Sequence, residues 1–141
     1  MILEGRTVLA LDVGEKRIGV ALSHGVVAEG FGVLDFRKDK PEETIAKIKN
    51  IISEQKVDKI VIGLPLGRDG KETAQSQKIR AFTANLEGAL GLECDFVEES
   101  YSTVEVEREQ ENLKEKGKLK SLDVDAEAAR VILEQYLQEN E

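Results

Sequence analysis

The first third of the chain is dominated by short apolar stretches separated by polar or glycine-containing breaks. Residues 8–11 are apolar throughout and predict a buried strand, and a similar apolar run begins at Ile18. The polar segment between them predicts a tight turn. A third stretch is interrupted by glycines, which favours an irregular or edge strand. The predicted strands, expected to form an antiparallel meander, cover residues 7–12, 17–23 and 26–35.

Helical periodicity begins after residue 40. Isoleucines recur at helix spacing up to about residue 55, and Pro41 is tolerated in a first turn. Residues 60–64 are apolar and begin with three β-branched residues, as is typical of a strand covered on both faces. The remaining predicted elements are a helix over 72–90, a strand over 94–98, a helix from Ser102 and a helix over 123–138. This order predicts an α/β fold with a mixed five-stranded sheet, antiparallel first and parallel afterwards, flanked by helices.

Composition and charge limit the classes of protein that remain. A chain of 141 residues is long enough for a core and predicts a single domain over 1–141. It has no apolar run of membrane-spanning length and no signal-like start, and Cys94 is its only cysteine, so a cytoplasmic protein without internal disulfides is expected. The net charge of −8 argues against a general nucleic-acid coat, but it allows a local basic patch or cations that bridge acids to phosphates.

Acidic residues stand where the predicted fold would form a site. Open α/β sheets bind ligands at the carboxyl ends of their parallel strands. Asp12 ends the first strand, and Gly14 follows in the turn, where the missing side chain would let a phosphate approach the backbone. Because Asp-x-Gly is also a common turn sequence, this fragment alone does not establish a site.

Two more acidic positions could join Asp12. Glu98 and Glu99 end the strand from Cys94, and at most one of them can face the cleft; the sequence leaves open which one. Asp125 lies at helix spacing from a set of apolar residues and is therefore expected near the helix start on its buried side. That set is Ala129, Ile132, Leu133 and Tyr136.

Such a cluster would need neutralisation. Two carboxylates about 5 Å apart repel by roughly 3 kcal/mol at an effective dielectric of about 20. Protons or divalent cations must offset this, and ligands that are all oxygen suit Mg²⁺ or Mn²⁺. The alternative is that these acids cap helices or face solvent.

Four segments together resemble the YqgF family of Holliday-junction-resolvase-like proteins and ribosomal-RNA-precursor nucleases, which has a ribonuclease-H-like fold. The match covers nearly the full length, with its segments in the family's order. The segments are residues 11–23, residues 62–66 with Asp69 and Gly70, residues 98–103, and residues 125–137.

The resemblance implies a metal-binding acidic triad of Asp12, Glu99 and Asp125, with a secondary role for Glu98. Two positions depart from the family pattern and bear on substrate choice. These are Ser100, where an Arg is usual, and His24, where an Asp is common. His24 is expected to be structural because it lies in a turn, and Cys94 is expected in the core.

Basic residues supply candidate contacts to the substrate backbone. Lys16 and Arg17 would meet it at the rim of the turn that contains Gly14. Lys116, Lys118 and Lys120 lie in a basic loop that either contacts phosphate or is simply solvated.

The function implied by the resemblance is metal-dependent endonuclease activity that processes the 5′ end of pre-16S rRNA, with ribosomal particles as possible partners. Cleavage of branched DNA, as by a Holliday junction resolvase, is the alternative within the same chemistry. Two other classes stay open: an ATP-binding phosphotransferase module of the actin and sugar-kinase type, and a scaffold that binds RNA without cutting it. The phosphotransferase would need a second domain, for which 141 residues leave no room.

Overall fold

The computed structural model describes residues 6–36, 40–67, 69–99 and 121–140. Strands and helices alternate after an initial three-stranded meander. The strands are β1 (Thr7–Val13), β2 (Arg17–His24), β3 (Ala28–Asp35), β4 (Lys59–Pro65) and β5 (Cys94–Glu99). The helices are α1 (Pro41–Gln55), α2 (Ala74–Leu90) and α3 (Ser121–Glu139). The helix predicted from Ser102 lies outside the described residues.

The strands form one five-stranded sheet in the order β3-β2-β1-β4-β5. The β1–β2 and β2–β3 pairs are antiparallel, whereas β1–β4 and β4–β5 are parallel. The predicted mixed α/β sheet is therefore confirmed. The β2–β3 register shifts between Val20 and Ala21, in keeping with the irregular edge strand expected for β3.

Both faces of the sheet are covered by helices, and side chains along each strand alternate between the two faces. Leu9, Leu11 and Val13 of β1 join the core beneath α1 and α2. Val8 and Ala10 join a second core formed with α3. The face of the sheet against α3 is called the α3 face below. No helix in the described ranges is both long and apolar enough to span a bilayer.

The helix boundaries follow from local capping. The helix α2 begins at residue 74, two residues later than predicted, because Thr73 and Ser76 form a reciprocal capping box. It ends at Gly91, whose φ of 68° lies in the left-handed region. The helix α1 ends in the same conformation at Lys56, with a φ of 55°, although lysine has a Cβ that disfavours it.

Replacing Lys56 with glycine should therefore stabilise the protein. We expect Lys56→Gly to raise the free energy of unfolding by about 0.5 kcal/mol, since relief of left-handed strain exceeds the greater unfolded-state entropy of glycine. Urea denaturation measures the change. Gly91→Ala is the reciprocal variant and should destabilise by about 1 kcal/mol; a loss of stability in Lys56→Gly would contradict the strain argument.

Candidate active site

Asp12 lies at the carboxyl end of the central strand β1, on the α3 face. It alternates in step with Val8 and Ala10, which pack against α3, and it is half-buried. Its neighbour Val13 is buried on the opposite face. The end of β1 thus presents a carboxylate on one face and an apolar side chain on the other.

The amino-terminal part of α3 packs directly beside Asp12. Gly19 is the partner of Asp12 in the β1–β2 ladder. A Cβ on Gly19 would overlap the backbone oxygen of Asp125, so only glycine allows α3 this close to β2. Gly30 on β3 makes a similar but looser approach, in which its Cβ would stand 3.4 Å from the Cβ of Ala126. Two glycines therefore bring Asp125 to the strand that pairs with Asp12.

Glu99, rather than Glu98, lies on the α3 face. It alternates in step with Val97, which belongs to the α3 core, whereas Glu98 is exposed in step with Phe96 on the other face. A Cβ on Gly63 would overlap both Oε1 of Glu99 and the side chain of Ile132. Gly63 follows Ile62, the β4 partner of Leu11, so the Glu99 carboxylate extends over the strand next to Asp12.

Asp125 is held by an ion pair from the β1–β2 hairpin. The Nε of Arg17 donates a hydrogen bond to Oδ2 of Asp125 at 2.6 Å, across 108 residues of sequence. The Asp125 side chain retains 26% of its exposure and that of Arg17 40%, so solvent screens the pair. Arg17, predicted to contact substrate, here contacts one of the predicted metal ligands.

The three acids lie at one end of one face of the sheet. In the described part of the chain, however, no group of three or more His, Cys, Asp or Glu side chains is arranged to hold a metal ion. One oxygen of the Asp125 carboxylate is instead hydrogen-bonded to Arg17. The side chains of Asp12, Glu99 and Asp125 offer only carboxylate oxygens, which are ligands that suit Mg²⁺ or Mn²⁺. Gly63 leaves the space that the Glu99 carboxylate uses.

The turn between β1 and β2 has the predicted form, and its glycine has a steric role within the turn; the approach of a phosphate to Gly14 stays a prediction. The N–H of Gly14 donates to the carbonyl of Arg17 at 2.9 Å, and a Cβ on Gly14 would come within 2.8 Å of that same oxygen. Its φ is not among the positive values in the described chain. Lack of space in a tight turn, not a left-handed backbone, therefore favours glycine there. Lys16 is exposed at the rim.

His24 and Cys94 stand apart from the acids. His24 is at the opposite end of the sheet, where its Nδ1 lies 3.0 Å from Oγ1 of Thr7. Thr7 is five residues before Asp12, a separation of about 16 Å along a strand. Partial burial of Cys94 raises the pKa of its thiol to about 12, so the thiol stays protonated and unreactive at neutral pH. Neither residue is placed to act as a base or nucleophile at this site.

Comparison with known proteins gives the family. The model of the RuvX family, described as Holliday junction resolvase, matches residues 6–139. The chain belongs to the RuvX family. A curated relative from Burkholderia cenocepacia (strain HI2424), named "Putative pre-16S rRNA nuclease", is 36% identical over 93% of this chain and 88% of its own length. A protein of the same name from Burkholderia vietnamiensis is 36% identical over 94% of this chain and 89% of its own length.

Solved structures support the fold assignment. A Thermus thermophilus RuvC in complex with a Holliday junction substrate aligns with a TM-score of 0.59 over 96% of this chain and 95% of its own, at 10% identity. A second T. thermophilus RuvC structure aligns with a TM-score of 0.55 at 14% identity, covering 95% of each chain. At these identities the likeness concerns the fold alone, which for this RuvX member is ribonuclease-H-like.

Gly19 and Gly63 make room for Asp125 and Glu99 in the candidate site, and the sequence pattern alone does not identify them. Both occur in strands, where glycine weakens the strand and often marks close approach of another group. That signal was present in the sequence, but what approaches each glycine depends on the packing of α3. Ser100 and the lysines Lys116, Lys118 and Lys120 lie outside the described residues, so their predicted roles stay predictions.

Proposed function

We propose that this RuvX member is a metal-dependent endonuclease that cleaves precursor ribosomal RNA at the 5′ end of 16S rRNA. The observation that supports the proposal is that Asp12, Glu99 and Asp125 all lie on the α3 face, at the end of the sheet where β1 ends. Relatives covering most of the chain and named for pre-16S rRNA favour RNA as the substrate.

The proposed roles of the residues follow from their positions. Asp12, Glu99 and Asp125 would bind divalent cations, which when bound supply charge neutralisation and activation of water in phosphodiester hydrolysis. Arg17 lies beside Asp125 and carries a planar guanidinium suited to phosphate, so it would contact the substrate backbone near the acids. Lys16, exposed on the same turn, would add a second positive charge. A protein with a net charge of −8 must concentrate its phosphate contacts in this way.

Cleavage of a branched DNA is the second candidate, supported by the family description as Holliday junction resolvase. Both candidates use the same acids and differ in the nucleic acid that reaches them. A direct comparison of precursor RNA and a four-way DNA junction distinguishes them, with Mg²⁺, Mn²⁺ or a chelator present. Cleavage of neither substrate, together with ATP binding, would instead support a phosphotransferase module.

The adjacent acids of β5 provide a matched pair of variants. We expect Glu99→Gln to reduce cleavage by about 100-fold or more, because it removes a negative oxygen from the α3 face. Glu98→Gln makes the same chemical change on the other face and should retain nearly full activity. Initial cleavage rates of labelled substrate measure both. Equal losses in the two variants, or full activity in Glu99→Gln, would reject the proposed acidic site.

A further inference from the structure

A cavity of about 290 Å³ lies on the opposite side of the sheet from the acids. Its apolar walls come from β1, from the segment after β3 and from α2. They include Val13, Phe36, Ile79 and Phe82, and Gly14 of the β1–β2 turn borders it. The rings of Phe36 and Phe82 meet edge to face with centroids 5.1 Å apart. The cavity is thus an aromatic, apolar space at the same edge of the sheet as Asp12.

The rim of the cavity is polar. Gln75, Lys78 and Asn85 of α2 and Glu15 of the turn contribute to its lining, and all but Gln75 are exposed. The Asn85 amide offers both a donor and an acceptor, as needed to pair with the edge of a base. Lys78 supplies a positive charge where a phosphate would pass. The volume is at the lower end of the range for small-molecule sites, which suits one flat ring system better than a larger ligand.

The cavity is connected to the candidate active site through consecutive residues. Asp12 and Val13 point to opposite faces of β1, so the acid and the cavity wall are one residue apart. The N–H of Phe36 donates to the carbonyl of Lys16 at 2.8 Å, which ties the aromatic wall to the turn that carries the basic residues. A nucleic-acid strand that crosses this turn would have a phosphate beside Asp12 and a neighbouring base within reach of the cavity.

We propose that this cavity binds an unpaired nucleobase of the substrate strand next to the phosphate that is cut. The inference rests on the proposed nuclease function and narrows its substrate class to strands with an unstacked base at the cleavage site. Aromatic side chains stack on a base of any identity, whereas the exposed Asn85 amide on the rim would contact its edge. A base held in a duplex is paired and stacked and cannot enter.

Two alanines of α2 allow the cavity to be filled without disturbing the core. Ala81 lines the cavity and is exposed, whereas Ala84 is exposed on the same helix and does not line it. Ala81→Leu should occupy part of the cavity, and Ala84→Leu is the matched control. Equal thermal unfolding midpoints in the two variants would show that both fold equally well.

Binding is measured by fluorescence anisotropy in a chelator, so that it does not depend on cleavage. The probes are a labelled oligoadenylate of about 12 nucleotides and a ribose-phosphate oligomer of the same length without bases. We expect the wild type and Ala84→Leu to bind oligoadenylate about tenfold more tightly than the base-free strand. Ala81→Leu should lose most of this preference. An oligoadenylate–oligouridylate duplex should bind all three proteins equally.

Several results would overturn the inference. They are wild-type affinity of Ala81→Leu for oligoadenylate, no base preference in the wild type, and no binding of oligoadenylate at all. Free adenosine monophosphate that binds as tightly as the oligomer would make the cavity a nucleotide site instead of a strand contact. If the wild type cleaves its substrate but Ala81→Leu keeps the wild-type preference for oligoadenylate, this inference alone is rejected. If Ala81→Leu loses that preference but the wild type cleaves neither RNA nor the DNA junction, the nuclease function is rejected.

Discussion

Asp12→Asn is expected to reduce metal-dependent cleavage by roughly 1000-fold, equivalent to about 4 kcal/mol of transition-state stabilisation. The substitution keeps the shape of the side chain and removes only its negative charge at the end of the central strand. Asp12 lies on β1, between β2, where Gly19 makes room for Asp125, and β4, where Gly63 makes room for Glu99. Its charge is therefore expected at the centre of the proposed cation site. Single-turnover cleavage of labelled RNA with Mn²⁺ measures the loss.

The control for Asp12→Asn is Asp35→Asn. Asp35 is the exposed last residue of β3. It lies opposite Arg17 in the β2–β3 ladder and is therefore at the same end of the sheet as Asp12. This variant makes the same chemical change nearby, so general electrostatic effects on RNA binding appear in both. Asp35→Asn should remain near wild-type activity. Cleavage that persists in Asp12→Asn, or falls equally in both variants, would remove Asp12 from the proposed mechanism.

Gly19→Ala should have the largest effect on stability. Its Cβ would overlap the backbone oxygen of Asp125, and a backbone atom in a packed helix cannot rotate away as a flexible side chain does. The helix α3 would have to shift away from β2, at a cost of about 2–3 kcal/mol for overpacking. Urea unfolding measures this cost. Cleavage should fall as well, since the displaced backbone carries Asp125.

Gly32→Ala is the matched variant on the neighbouring strand. Nothing lies within 4 Å of the position that its Cβ would take, and its φ is not in the left-handed region. We expect a change in the free energy of unfolding of less than about 1 kcal/mol. If Gly19→Ala were as mild as Gly32→Ala, the close approach of α3 to β2 would not be needed for the fold.

The secondary structure was predictable because it depends on local pattern. Continuous apolar runs identified β1 and β4, and helical spacing of apolar residues identified α1 and α3. The residues Ala129, Ile132, Leu133 and Tyr136 are all buried against the α3 face, as their spacing predicted. The start of α2 lies two residues after the position that the apolar spacing predicts, because the capping box of Thr73 and Ser76 sets it.

The site was predictable only in part. The spacing of Asp125 from those apolar residues correctly placed it on the side of α3 that faces the sheet. The choice between Glu98 and Glu99 was open from physical reasoning, since it depends on which face of β5 meets α3. The contact between Arg17 and Asp125 was not predictable either, because it joins residues 108 positions apart.

The sequence by itself determined the strands, the helices and the acidic residues at their ends, since each depends on neighbours within a turn or a strand. Only the tertiary structure decided which of those residues meet. The order β3-β2-β1-β4-β5 puts β1 at the centre, and α3 packs against Gly19 of the adjacent strand β2. That packing brings Asp125 to β2, the strand that pairs with Asp12. Glu98 and the aromatic cavity lie on the opposite face of the sheet, against α1 and α2. Contacts of this kind depend on residues distant in sequence, so no local pattern encodes them.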